Sequence, residues 1–283
     1  MKRNSVLLVS DPGQFSNLHK INPYYDEREI DVSRAMEEHK RILKCFSEAG
    51  IEIRQVPAPV GCQDGVYTAN WGLVYQGKAV MARLPEARKG EEEYAREVLS
   101  RMGISCVSVP GEMLFSGQGD SLRVSKYLIG GNGYRSEPEA QEFAAKELGL
   151  ELVLVKTKPK LNEDGSVFVN PETGRADSFF YDLDLAVAVI SDELIAYCPE
   201  ALEADSVEKI EALPMEKIHV SLEEAVSGFA CNLVSTGETV VMSSKAPKLK
   251  AELERRGLKV LAPEVKELIR GGGFIRCVSL EIE

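Results

Sequence analysis

The chain reads as a modular α/β fold, a radial arrangement of strand-strand-helix-strand units, on three observations. A helix followed directly by a short strand recurs four times, short antiparallel strand pairs lie between the copies, and no G-x-G-x-x-G follows the first strand. In a doubly wound parallel sheet each helix links two parallel strands, so interleaved hairpins argue against that alternative.

The elements follow in order. Residues 5–10 form a first strand, stopped by Asp11-Pro12-Gly13; the run is too short for a signal-peptide core or a membrane span. Residues 32–49 place Ala35, Ile42, Leu43 and Phe46 at helical spacing with Gly50 as the stop, and residues 51–56 alternate as a strand. The same order predicts helix 91–102 into strand 104–109, helix 138–148 into strand 150–155, and helix 247–256 into strand 258–261. Strand pairs are predicted at 72–75 with 79–82, 185–190 with 194–197, and 233–235 with 239–243, turning at Gly77, Asp192 and Gly237. Residues 156–178 break the rhythm with turn-forming polar residues and read either as a lid or as surface decoration. No composition shift marks a domain boundary, so residues 1–283 are expected to form one domain.

The net charge of -11 arises from 45 acidic and 34 basic side chains without a basic block, which leaves nucleic-acid binding unsupported and suits a cationic small molecule. The six cysteines are far apart, with no C-x-x-C and no neighbouring histidine, so neither a disulfide framework, a metal site nor a cofactor is called for. A reducing cytoplasm is the expected location, without membrane attachment. A homodimer is the oligomer that closed symmetry favours.

Chemistry concentrates at a few positions. Gly271-Gly272-Gly273 precede Cys277 on an expected final apolar strand, an arrangement that either presents a nucleophilic thiol or packs a small buried cysteine. Asp120 follows two glycines, and period-two geometry puts Asp182 and Asp184 on one face of a strand. Carboxylates accepting parallel hydrogen bonds hold a planar guanidinium, so Asp120 and Asp184 make a candidate clamp; turn residues in solvent would look the same. Asn22, Asn70 and Asn232 sit at the edges of apolar segments, where capping also explains them. Of His19, His39 and His219, only His19 lies near one of these motifs.

Taken together, Ile21-Asn22-Pro23, Tyr67-Thr68-Ala69-Asn70, Arg88-Lys89-Gly90-Glu91, the segment from Phe115 to Asp120, Gly133-Tyr134-Arg135-Ser136, the segment from Phe180 to Asp184, Ala230-Cys231-Asn232 and Gly271 to Cys277 resemble the guanidino-group-modifying, or pentein, superfamily. The likeness is strongest to its amidinotransferase, dimethylargininase and arginine dihydrolase branch. It implies a five-bladed α/β propeller with a central channel. It further implies that Cys277 attacks the guanidinium carbon of an arginine-like substrate, that Asp120 and Asp184 hold the cation, and that Asn22, Asn70, Arg88 and Asn232 line the substrate.

The chain departs from the family at proton transfer. The family's Phe-Tyr-x-Leu-Asp segment carries a histidine at x, where this chain has Asp182, and Ser116 and Gln118 occupy the candidate positions of the glutamate that orients it. A carboxyl of ordinary pKa, about 3.9, is a poor acid at neutral pH, and loss of a general acid or base typically costs on the order of 10² to 10⁴ in rate. Three expectations follow: a C–N hydrolase with Asp182 in the histidine's role, altered chemistry such as amidino transfer, or binding of arginine-like ligands without turnover.

Overall fold

The computed structural model describes residues 3–283. Its first sheet holds β1 (Val6–Ser10) and β2 (Glu52–Val56), joined by α1 (Val32–Glu48). The second contains β3 (Gly72–Tyr75), β4 (Lys78–Met81), α2 (Gly90–Arg101) and β5 (Ser105–Ser108), and the third β6 (Ser121–Val124), β7 (Tyr127–Gly131), α3 (Pro138–Leu148) and β8 (Glu151–Val155). The fourth contains β9 (Val187–Ser191), β10 (Leu194–Tyr197), α4 (Ala204–Glu211) and β11 (Glu216–His219). After α5 (Leu222–Gly228), the fifth is built from β12 (Val234–Ser235), β13 (Thr239–Val241), α6 (Pro247–Arg255) and β14 (Lys259–Leu261), and β15 (Leu280–Glu281) ends the chain.

All five sheets have three strands and one plan: an antiparallel pair, then a helix crossing to a parallel third strand. The crossover is required because parallel neighbours cannot be joined by a tight turn. The first sheet lacks its leading strand until β15 returns to pair antiparallel with β1, Leu8 opposite Leu280. The ends of the chain thereby close one blade, giving the five-bladed propeller that the resemblance implies.

Local signals account for the blades. Asp31 caps α1 by accepting from the Arg34 amide, Ala35, Ile42 and Phe46 are buried, and Gly50 takes the left-handed conformation that stops the helix. The sequence-based reading found four helix-to-strand units where the structure has five: α4 into β11 was missed, because α4 is short and largely exposed. His219 ends β11. β7, with two glycines, was also missed.

Short turns lead into the first strand of each blade, and these inner turns carry the polar residues. They are Thr68–Trp71, Gly117–Gly119, Leu183–Leu185, residues 230–232 and residues 274–279. Among the described residues, no helix is long and apolar enough to cross a membrane.

Candidate active site

Cys277 sits in a turn, where a final apolar strand was expected: Val278 N–H donates to Phe274 O and Ser279 N–H to Arg276 O, and only β15 beyond them is extended. The three glycines make room for this turn. Gly272 has φ of 85°, and a Cβ on Gly273 would lie 2.5 Å from the Tyr67 ring and 2.9 Å from the Cys277 Cβ. Asn232 grips the loop through its side-chain Oδ1, which accepts from the Arg276 and Cys277 amides, while its Nδ2 donates to Cys277 Sγ at 3.1 Å. Asn232 therefore orients the thiol itself.

The other neighbour of Sγ is Asp184, whose Oδ2 lies 3.3 Å away. Its Oδ1 is buried without a hydrogen-bond partner. Asp182 differs, since its Oδ1 accepts from Ser116 Oγ and its Oδ2 from Asn70 Nδ2, each at 2.7 Å. The strand reading for these two aspartates is corrected: Leu183–Leu185 is a 3-10 turn, with Asp182 just before it and β9 starting at Val187. Asp120 and Asp184 share no hydrogen bond. Asp120 lies behind the turn, accepting from the Leu183 amide, and is packed so closely that a Cβ on Gly131 would fall 2.0 Å from its Oδ1.

Burial outweighs the nearby positive charges, Arg276 at Asp184 and Arg135 at Asp120, in setting the acid–base character here. Burial, then repulsion from Asp182, pushes Asp120 up to about 7 and Asp184 well above the usual carboxylate range. Burial, then Asp184 and Asp182, raises the Cys277 thiol, so the site without ligand holds a protonated cysteine.

Around Arg88, charge is compensated. Arg88 donates through Nε and Nη2 to Glu91, both side chains being buried, and Trp71 Nε1 donates to the same carboxylate. Burial disfavours the Arg88 charge, but Glu91 outweighs it and the pKa rises. Arg88 Nη1 donates to Asn70 Oδ1, which fixes the amide so that Nδ2 faces Asp182 and Ser116. Asn22 donates to Gly271 O, tying the N-terminal loop to the glycine turn.

Asn22, Asn70, Arg88 and Cys277 share the wall of a small cavity of about 10 Å³ with Asp64, Tyr67, Arg135 and Tyr181. Ile21 and Arg135 also border an outer vestibule of about 670 Å³. The 156–178 insertion supplies Glu172, Thr173, Arg175, Ala176 and Asp177 to that vestibule, so it is more than surface decoration. His19 also lines the vestibule, its Nδ1 2.8 Å from Glu172, away from the thiol. His39 is buried in α1, its pKa lowered by burial to about 4. Among the described residues, no group of three or more potential ligands is placed to hold a metal ion.

Sequence reasoning missed Asp64, which is buried and bonded to the Tyr25 hydroxyl, and Arg135 stacked over Tyr181 at 4.7 Å. Arg135 was part of a quoted motif but received no role. Asp64, three residues before Tyr67, carried no signal beyond that proximity.

Five blades around polar inner turns, with a thiol beside aspartates, define a protein of the guanidino-group-modifying α/β-propeller class. The sequence pattern of the family described as "N,N dimethylarginine dimethylhydrolase, eukaryotic" matches residues 16–283, and the chain belongs to that family. It is 31% identical over 277 residues to the N(G),N(G)-dimethylarginine dimethylaminohydrolase of Mycobacterium tuberculosis, covering 97% of this chain and 84% of that protein. It is 29% identical to the bifunctional arginine dihydrolase/ornithine cyclodeaminase ArgZ of Synechocystis, covering 98% of this chain but only 37% of that longer protein. The N-terminal domain of ArgZ with bound product superposes with a TM-score of 0.88 at 28% identity, over 98% of this chain and 97% of that domain.

Proposed function

We propose that this protein is a hydrolase that cleaves a C–N bond in the guanidino or ureido group of a small arginine-like molecule, with Cys277 as covalent nucleophile. The observation that carries the reading is the pairing of Cys277 Sγ with Asp184, whose other oxygen is buried and unsatisfied. Asp120, Asp182 and Asp184 are all buried, and none forms an ion pair among the described residues. A planar guanidinium supplies what this side lacks: donors for the free oxygen and a positive charge that lowers the carboxyl and thiol pKa values together. The relatives named above share that reaction class.

In this reading the thiolate attacks the central carbon, an amine or ammonia leaves, and water releases a ureido product and the free thiol. Asn232 orients the nucleophile, Asn22 holds the glycine turn, and the chain from Glu91 through Arg88 and Asn70 fixes Asp182. Asp120 supports the Leu183 amide. We take residues 1–283 as one catalytic domain, the 156–178 segment as the outer wall through which substrate passes, and the cytoplasm, where thiols stay reduced, as its setting. A homodimer is compatible with this arrangement, and neither nucleic acid, membrane, metal nor organic cofactor has a part in it.

The test is incubation with L-arginine, Nω,Nω-dimethyl-L-arginine, agmatine and citrulline, following ammonia, amines and ureido products. Turnover is expected with at least one, and Cys277→Ser should reduce it by a factor on the order of 10⁶, as loss of a nucleophile does elsewhere. Turnover that survives this substitution would rule out covalent catalysis. Binding of one of these compounds with no product would favour a ligand-binding protein instead.

A further inference from the structure

Proton transfer in the proposed reaction needs a group that touches the reacting atoms and has an oxygen or nitrogen free to take up a proton and release it. The histidines do not qualify. His19 is at the vestibule with Glu172, His39 is enclosed in α1, and His219 ends β11 beside Glu211. Asp182 does not qualify either. The amide of Asn70 is oriented by Arg88, a donor only, so its Nδ2 must donate to Asp182 Oδ2. The second Nδ2 hydrogen is shared between Ser116 O at 3.1 Å and Ser116 Oγ at 2.9 Å, and the Ser116 hydroxyl donates to Asp182 Oδ1 at 2.7 Å. Both oxygens of Asp182 are acceptors in a fixed network anchored by the Arg88–Glu91 pair.

Asp184 is two residues away and differently placed. One oxygen is 3.3 Å from Sγ, the other is buried without a partner, and its turn is held by the Asp120 contact to the Leu183 amide. We infer that Asp184, rather than Asp182, is the general acid and base of the Cys277 reaction, and that Asp182 is a positioning residue. This rests on the hydrolase reading.

The steps balance as follows. Asp184 carboxylate takes the proton from Cys277 Sγ as sulfur bonds to the guanidinium carbon. It gives that proton to the departing nitrogen as the C–N bond breaks, leaving a thiouronium cation on sulfur and a neutral amine. Water then adds to the thiouronium carbon while Asp184 takes one of its protons. The C–S bond breaks, Asp184 returns a proton to sulfur, and the ureido product leaves with one further proton passing to the released amine. Nothing is oxidised or reduced. The charged and titratable groups around Asp184 are Asp182 on its own turn, Cys277 and Arg276 from the C-terminal turn, Asp120 from the third blade and Cys231 from the turn before β12. Burial and the two neighbouring aspartates favour a proton on Asp184, and a bound guanidinium reverses this, so the proton is mobile when substrate is present.

The experiment compares leaving groups. Nω,Nω-dimethyl-L-arginine and L-arginine release nitrogen and need an acid; S-methyl-L-thiocitrulline releases methanethiol, which departs as a thiolate with little need of one. In Asp184→Asn, kcat for the nitrogen-releasing substrates should fall by about 10² to 10⁴, and kcat for the isothiouronium substrate should fall at least about tenfold less, because it still needs the base for thiol and water but not the acid for the leaving group. In Asp182→Asn, the two classes should fall together and the pH–rate profile should keep its shape. Equal loss of both classes in Asp184→Asn would strip Asp184 of the acid role, and a leaving-group split in Asp182→Asn would give that role to Asp182; either overturns the inference. Asp184→Glu, which keeps the carboxyl, should restore part of the lost rate, and no restoration counts against it. A parent protein inert toward both classes would defeat the hydrolase reading itself, whereas a parent active on both with an unsplit Asp184→Asn would defeat this inference alone.

Discussion

Two groups of buried charge near the thiol, the Arg88–Glu91 pair and the three aspartates, are treated in opposite ways. On the Arg88 side, cation and anion meet within the protein: Glu91 accepts from Arg88 and Trp71, and Asn70 passes the orientation on. On the aspartate side, Asp120, Asp182 and Asp184 are as deeply buried, yet only neutral donors reach them. A closed ion pair is a scaffold, because breaking it strands a charge. A buried carboxylate with an unpartnered oxygen, as Asp184 has, is a receptor, because a ligand's cation lowers its free energy. The contrast extends to single residues, since Asp182 is tied into the scaffold and Asp184 is left open toward the thiol.

The largest expected effect lies on the closed side. Glu91→Gln removes the counter-charge of Arg88 and should destabilise the protein by about 3–5 kcal/mol, the usual consequence of unpairing a buried ion pair. Denaturant unfolding measures it, and a loss below 1 kcal/mol would mean that solvent reaches Arg88 and the side is not closed. On the open side, a guanidinium ligand at one hundred times its dissociation constant should stabilise the protein by about 2.7 kcal/mol. Thermal melting with a non-hydrolysed arginine analogue should show that gain in the parent and much less of it in Asp184→Asn.

The smallest effect is a pH slope. Asp120, held up near 7, binds its proton more tightly folded than unfolded, so its contribution is full below about 4 and is lost as pH rises through 7. His39, lowered to about 4, acts in the other direction, so that stability rises from pH 4 to about 6.5 as the unfolded chain gives up its proton. Asp120→Asn should therefore make stability climb more steeply with pH between 4 and 7 in urea titrations. An unchanged slope would place the uncompensated charge elsewhere than Asp120.

Much of the fold was legible because local physics writes it. Helical spacing of apolar residues, a glycine stop and alternating strands identified four of the helix-to-strand units, and the missing α4–β11 unit had only a short amphipathic helix to announce it. Of the site, the family motifs held Cys277, Asp182, Asp184 and Asn70, which the inner turns bring together, and Arg88, which reaches Asn70 from the turn before α2. Asp120 lies behind the turn, and adjacency to glycines says that backbone is close but not which face a carboxylate takes. Asn232 proved to hold the thiol. Asp64 was not foreseen, because its Tyr25 partner comes from another segment; the Arg88–Glu91 pair is local, three residues apart, but that both are buried depends on the packing around them.

By itself the sequence determined the repeating α/β units, the glycine approach to Cys277 and the replacement of a histidine by Asp182, all features that neighbouring residues encode through propensity, sterics and motif order. Only the tertiary structure decided which carboxylate is compensated and which is open. Asp182 and Asp184 are the same residue type two positions apart, and what distinguishes them is Asn70 and Ser116 from two other blades on one, and Cys277 from the end of the chain on the other. Hydrogen-bond saturation is a property of assembled surfaces, and no local pattern carries it.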